Sequence, residues 1–288
     1  MIFYRVLDNT LYHIKETKSL GFEESEGYRI PDEYLENQKF TVMRTANGIG
    51  DWGIISAMPR LLKQKYPDCK VYIPSNKLIK KVFGAESKTA EIIFKNNPYV
   101  DKFKDYILGE VFHDHYRIYD KSNTDIPLLE QMLKFWQFDE SEYIDSQPEM
   151  YWSDEEKSLG NEIINKYMGE NEFGCLLISD RFGTQKGTFD LETMRRETQS
   201  INNILDPTLK YFYYTSNPLK ETPFSWIDDV LDMRHIDIRI QLYIKSKAKL
   251  NVGNQCGVNH MVVRYSDVYE TQRQIPIAHN FVRGENYL

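Results

Sequence analysis

The chain has 288 residues, 41% hydrophobic and 27% charged, with 15 glycines and 11 prolines, a makeup that fits a globular protein and excludes a disordered or fibrous one. Its length exceeds what one core of ~100 to 200 residues needs, so two domains are expected. A formal net charge of -7 excludes a broad unspecific grip on nucleic acid, which depends on many Lys and Arg contacts to phosphate, but leaves room for a local basic groove.

Cys69, Cys175 and Cys256 are odd in number, far apart and without metal-ligand spacing, so they read as reduced core thiols of a cytoplasmic protein. The first 15 residues include Arg5, Asp8 and Lys15 and lack the apolar core of a signal peptide. No apolar run approaches the ~20 residues that cross a bilayer, so work on a membrane-borne substrate would be peripheral and from the cytoplasmic side. The 20 tyrosines support strands and ring stacking alike and decide little.

Residues 1–38 alternate loosely around Asp8-Asn9 and read as an added strand pair or arm packed on the first domain. The repeating pattern begins with a strand over 40–44, then a helix with Ile54, Ile55, Met58, Leu61 and Leu62 on one face, which Pro59 either begins or kinks. A strand over 70–74 and a helix through Leu78, Ile79, Val82 and Phe83 follow. A third strand is expected over 90–94, then an Asn97-Pro98-Tyr99-Val100-Asp101 turn, a strand over 111–119, and a helix lined by Leu128, Leu129, Met132, Leu133 and Trp136. Helical crossovers between strands require a parallel sheet.

An acidic stretch over 139–148 marks the domain boundary, giving a first domain over 39–148 and a second over 149–268. Ser153-Asp154-Glu155-Glu156 is a capping box that opens a helix through Leu159, Ile163, Ile164 and Tyr167. Strands are expected over 173–179, 209–215, 230–232 and 250–252, and helices over 191–205 and around Ile240, Tyr243 and Ile244. The economical architecture is two doubly wound, Rossmann-like α/β domains facing across a cleft, with residues 269–288 crossing back to the first. Ligands of such sheets lie beyond the carboxyl ends of the strands.

Three of those ends carry suggestive residues. The first is Arg44-Thr45-Ala46-Asn47-Gly48-Ile49-Gly50-Asp51, followed by Trp52. Its glycines let a ligand approach the main chain, and Asp51 stands at the positive end of a helix macrodipole, where it either caps the helix or does chemistry. The second is Gly253-Asn254-Gln255-Cys256-Gly257-Val258-Asn259-His260, whose glycines leave amides open to an anion at a helix start. The third places Arg181 and Lys186 directly after a strand, as a diphosphate or a solvated loop would have them. His113-Asp114-His115 has two imidazoles on one strand face but no third ligand at matching spacing, and there is no Asp-x-Asp triplet.

In this order the loops resemble the ADP-heptose lipopolysaccharide heptosyltransferase family, inverting glycosyltransferases of the GT-B fold. Gly48-Ile49-Gly50-Asp51 with the apolar helix after it, Asn97-Pro98-Tyr99-Val100-Asp101, Lys186 before Phe189, and the 253–260 loop each look like a family motif. Gln255 and Cys256 depart from it, standing where the family has Asp and Thr or Ser, so the donor sugar need not be heptose.

The resemblance implies that Asp51 is a general base, with Asn47, Gly48, Gly50 and Trp52 on the acceptor side. Arg181, Lys186, Gln255, Cys256, Gly257 and His260 would meet the donor phosphates, His260 by direct contact or by supporting the loop. Thr215, Ser216, Asn217, Met233 and Arg234 would meet the nucleoside. It implies a nucleotide-diphosphate sugar as donor substrate, no cofactor and no metal. The acceptor is a cell-surface glycan or a hydroxylated base of a modified nucleic acid, the latter tracked by Lys77, Lys80, Lys81, Lys102 and Lys104. The alternatives are a non-catalytic nucleotide-sugar-binding protein of the same fold and a GT-B-shaped epimerase.

Overall fold

The computed structural model describes residues 3–7, 10–14, 39–44, 48–83, 87–107, 110–113, 127–135, 138–142, 145–178, 181–182, 185–188, 199–215, 235–254, 256–271 and 285–287, some of them by backbone alone. The chain divides into two compact units, Met1–Ser146 and Gln147–Leu288.

The first unit begins with an antiparallel strand pair, β1 (Phe3–Leu7) and β2 (Thr10–Ile14), with Leu7 across from Thr10. It continues with β3 (Lys39–Met43), α1 (Ile49–Ile54), α2 (Met58–Lys65), β4 (Lys70–Pro74), α3 (Asn76–Phe83), α4 (Thr89–Phe94), β5 (Lys102–Lys104), β6 (Glu110–His113) and α5 (Leu128–Phe135). The strands β3 to β6 form one parallel sheet in the order β5-β4-β3-β6. The chain steps from β3 to β4 to β5 in one direction and then places β6 on the far side of β3. Such a reversal opens a crevice beyond the carboxyl ends of the two strands, here beyond the paired residues Met43 and His113.

Phe40, Val42, Ile54, Ile55, Leu61, Leu62, Val71, Ile73 and Ile79 are all buried and form the core of this unit. The helical face expected from Ile54 to Leu62 is two helices, separated by turns at 55–57, and Pro59 lies in the first turn of α2, where its missing N–H breaks no helical bond. The strand expected over 90–94 is instead the helix α4. Ala90, Ile93 and Phe94, spaced by three and four, are buried while Glu91 is exposed, and Phe94 packs edge-on to Trp52 at 6.3 Å. A short apolar run satisfies either period, and packing against α1 selected the helical one.

In the second unit α6 (Asp154–Tyr167) has the expected capping box. The Ser153 Oγ accepts from the Glu156 N–H at 3.2 Å, and the Glu156 carboxylate accepts from the Ser153 N–H at 2.8 Å. There follow β7 (Phe173–Ile178), the antiparallel pair β8 (Arg181–Phe182) and β9 (Gln185–Thr188), β10 (Lys210–Thr215), α7 (Ile238–Lys247), β11 (Leu250–Asn254), the single turn α8 (Gly257–His260), β12 (Asp267–Thr271) and β13 (Glu285–Tyr287). Of the helix expected over 191–205, residues 199–205 are described, and of these 199–202 are helical and 203–204 a turn; the strand expected over 230–232 lies outside the described residues.

The second sheet is parallel throughout, in the order β10-β7-β11-β12-β13. β13 comes from the 269–288 segment, and its backbone extends this unit's sheet, with Val268 beside Glu285. Among the described strands the reversal here falls between β7 and β11.

Both faces of the second sheet are covered. Leu176, Tyr211, Tyr213, Leu250 and Val252 pack with Ile201 and Leu205 on one face, while Phe173, Cys175 and Phe212 meet Ile240, Ile244 and Met168 on the other. Across the second face a buried ion pair joins α7 to α6, the Arg239 Nε lying 2.7 Å from the Glu156 carboxylate and its Nη2 3.1 Å. Among the described residues no helix is long and apolar enough to cross a membrane.

The Asn97 to Asp101 motif has a mechanical role in the first unit. The Asn97 Oδ1 accepts from the Tyr99 N–H at 2.9 Å, and the Asp101 carboxylate accepts from the Lys63 ammonium at 2.8 Å and the Val71 N–H at 2.9 Å, with Lys70 at 3.0 Å. Burial works against the Asp101 charge, but the bonds from Lys63, Val71 and Lys70 outweigh it and hold the carboxyl below its ordinary value. The turn therefore clamps α2 to β4. Asp101→Asn should cost about 1 to 3 kcal/mol at neutral pH. That contribution is complete above the ordinary carboxyl value of 3.8 and is lost as the pH falls through the lower folded value, so urea unfolding should find the two proteins converging in acid.

Candidate functional site

Asp51 occupies the third position of α1, the helix that follows the reversal point of the first sheet. Its Oδ2 accepts from the Gly48 N–H at 3.0 Å, and its Oδ1 accepts from the Arg44 guanidinium at 3.2 Å. Arg44 is buried, whereas the Asp51 side chain is 38% exposed. Each carboxylate oxygen makes one such bond, and a carboxylate oxygen can accept a second. The cap and the half-open carboxylate are thus one feature.

A Cβ at Gly48 would stand 2.6 Å from the Asp51 Oδ2, so a larger residue there would push the carboxylate aside. Gly50 lies within α1 and is half-buried, and Asn47 is outside the described residues. Trp52, read from sequence as an acceptor-side residue, is wholly buried against Phe94, so its ring serves the core.

In the second unit the 253–260 loop begins at the reversal point between β7 and β11. Gly253 pairs with Leu177, and a Cβ there would meet the Leu177 carbonyl oxygen at 2.0 Å, so only glycine lets the strands approach this closely. Cys256 is the N-cap residue of α8, its carbonyl accepting from the Asn259 N–H at 3.0 Å. Burial, then the nearby Glu270 carboxylate, pushes the Cys256 thiol up to about 11, so it is neutral at ordinary pH and no nucleophile.

The Cys256 N–H, expected to meet phosphate, instead donates to the Glu270 Oε1 at 3.2 Å. The amide still open is that of Gly257, which has no partner among the described residues. His260 is 5% exposed and its Nε2 lies 3.5 Å from the Glu270 Oε2, so the imidazole faces inward. Beneath it Lys245 on α7 is wholly buried. Burial pushes its ammonium pKa down, against the pull of Cys175, Cys256 and Glu270. The side-chain amide of Asn259, also wholly buried, has no hydrogen-bond partner among the described residues.

Arg181 and Lys186 are placed by their backbone on the two strands of the β8–β9 pair, immediately after β7. Thr215 is the last residue of β10, while Ser216, Asn217, Met233, Arg234 and Gln255 lie outside the described residues. Of the first unit's lysines, Lys77 pairs with Asp105 at 3.2 Å and the Lys104 ammonium lies 5.4 Å from the rings of both Tyr72 and Tyr106. Among the described residues no three His, Cys, Asp or Glu side chains stand together as metal ligands; Asp114 and His115 fall outside them.

Glu270 and Lys245 were not read from the sequence. The available signal was an acid inside an alternating run, Asp267-Val268-Tyr269-Glu270-Thr271, shortly after the glycine loop.

No family model and no curated protein matches the chain. Among solved structures, the glycosyl transferase family 9 protein of Veillonella parvula is similar over 88% of this chain and 86% of its own, with a TM-score of 0.58 at 8% identity. The iron-containing dodecameric glycosyltransferase TibC of enterotoxigenic E. coli is similar over 87% of this chain and 64% of its own, with a TM-score of 0.50 at 8% identity. At such identities the likeness is one of fold. In its mixed α/β architecture with parallel sheets, this chain folds as the family 9 glycosyl transferases do.

Proposed function

We propose that the chain is an inverting glycosyltransferase that moves a sugar from a nucleoside-diphosphate sugar to an acceptor hydroxyl without a metal ion. The observation that carries this reading is the Asp51 carboxylate, oriented by Arg44 and the Gly48 N–H yet 38% exposed, at the reversal point of its sheet. The fold shared with family 9 glycosyl transferases supports it.

In this reading the acceptor oxygen attacks the anomeric carbon while Asp51 takes its proton, and the bond from that carbon to the diphosphate breaks. The leaving diphosphate gains charge. The Gly257 N–H at the start of α8, together with Lys186 and Arg181, would stabilise it, which is charge stabilisation of the oxyanion-hole kind. The absence of an Asp-x-Asp triplet supports the metal-free assignment. Thr215, Ser216, Asn217, Met233 and Arg234 are proposed to bind the nucleoside, and Gln255 to face the donor. Steep salt dependence of acceptor binding would mark a modified nucleic acid as acceptor, and indifference to salt a glycan.

Asp51→Asn should lower transfer by about 100-fold or more while leaving donor affinity near that of the wild type. Transfer by this variant at the wild-type rate would remove Asp51 as the base. Gly48→Ala, which pushes on the Asp51 Oδ2, should lower transfer by about 10- to 100-fold with the fold intact by circular dichroism.

A further inference from the structure

The buried acid of the second unit has no part in the reaction as described. Glu270 is wholly buried on β12, beside Gly253 in the strand register, in a strand whose neighbour Val268 is also wholly buried. A carboxylate taken fully out of water costs several kcal/mol unless it is paired. It lies closest to one short stretch of chain. Its Oε1 accepts from the Cys256 N–H at 3.2 Å and its Oε2 faces the His260 Nε2 at 3.5 Å, so it binds one end of the turn that contains Gly257 and lies against the other.

We propose that Glu270 is the positioning residue of the diphosphate loop: by drawing the Cys256 N–H and the His260 imidazole inward it fixes the turn with the Gly257 N–H open to the anion. This rests on the reading of residues 253–260 as the donor loop. The charged and titratable groups around the carboxylate are His260 and Cys256 on the loop and Lys245 on α7. Glu270 itself touches no substrate. Were the carboxylate absent, the Cys256 N–H would lose its acceptor, and satisfying it would mean rotating the peptide that carries it, which adjoins the one that carries the Gly257 N–H.

The test is calorimetric titration of the full chain with ADP, UDP, GDP and CDP. Glu270→Gln keeps the volume and one acceptor oxygen for the Cys256 N–H but removes the charge that faces His260. It should weaken binding of whichever diphosphate the wild type takes by about 10-fold. Glu270→Leu, with no acceptor, should weaken it further, and is the deciding variant if the glutamine protein does not fold.

Arg239→Met destabilises the same unit by removing the partner of Glu156 without touching the loop, and should leave the affinity unchanged. A loss in the Glu270 variants that this control does not share therefore reports positioning and not lowered stability. A folded Glu270 variant that binds as tightly as the wild type would overturn the proposal. If the wild type binds none of the four diphosphates, the donor-loop reading falls, and the proposal falls with it.

Discussion

Where a strand turns into a helix, backbone N–H groups are left without carbonyl partners, and in each unit of this chain a carboxylate takes one of them. In the first unit the acceptor is Asp51, which binds the Gly48 N–H and is steadied by Arg44. In the second it is Glu270, which binds the Cys256 N–H from the neighbouring strand. Both turns sit where the strand order of their sheet reverses. The difference between the two acids is exposure: the Asp51 side chain is 38% exposed, whereas Glu270 is wholly buried. In the proposed reaction that difference separates the base from the residue that positions the loop.

The alternating grammar of strand and helix was legible because it rests on local periodicity. The capping box at Ser153 forms as its residues dictate, and a parallel sheet follows once helical crossovers join the strands. The segment 90–94 was misread because five apolar-rich residues fit either period, and only contact with Trp52 decides between them. The place of β13 was likewise unreadable, since strand pairing is set by partners far away in sequence.

For the candidate site, sequence located the two glycine turns but not what holds them. Asp51 could be read as a cap or as a base, and its geometry combines the cap's hydrogen bond with the exposure a base needs. Trp52, adjacent in sequence, is a core ring, because neighbouring helical positions point about 100° apart. Cys256 looked like a phosphate contact until its N–H was seen to be occupied by Glu270, a residue 14 positions away on another strand. The Asn97 to Asp101 turn, which resembled a family signature, acts in the first unit as a clamp between α2 and β4. A motif can thus recur for reasons of folding alone.

The central claim is that the native chain binds a nucleoside diphosphate. A ligand held by the folded state alone raises stability by about 2.7 kcal/mol at a hundred times its dissociation constant, enough to move a melting temperature by several degrees. The direct measurement is the melting temperature of the wild-type chain with a panel of nucleoside diphosphates and their sugars. The account predicts a rise with at least one base, shared by the diphosphate and its sugar and smaller for the monophosphate. An unchanged melting temperature across the whole panel would contradict it.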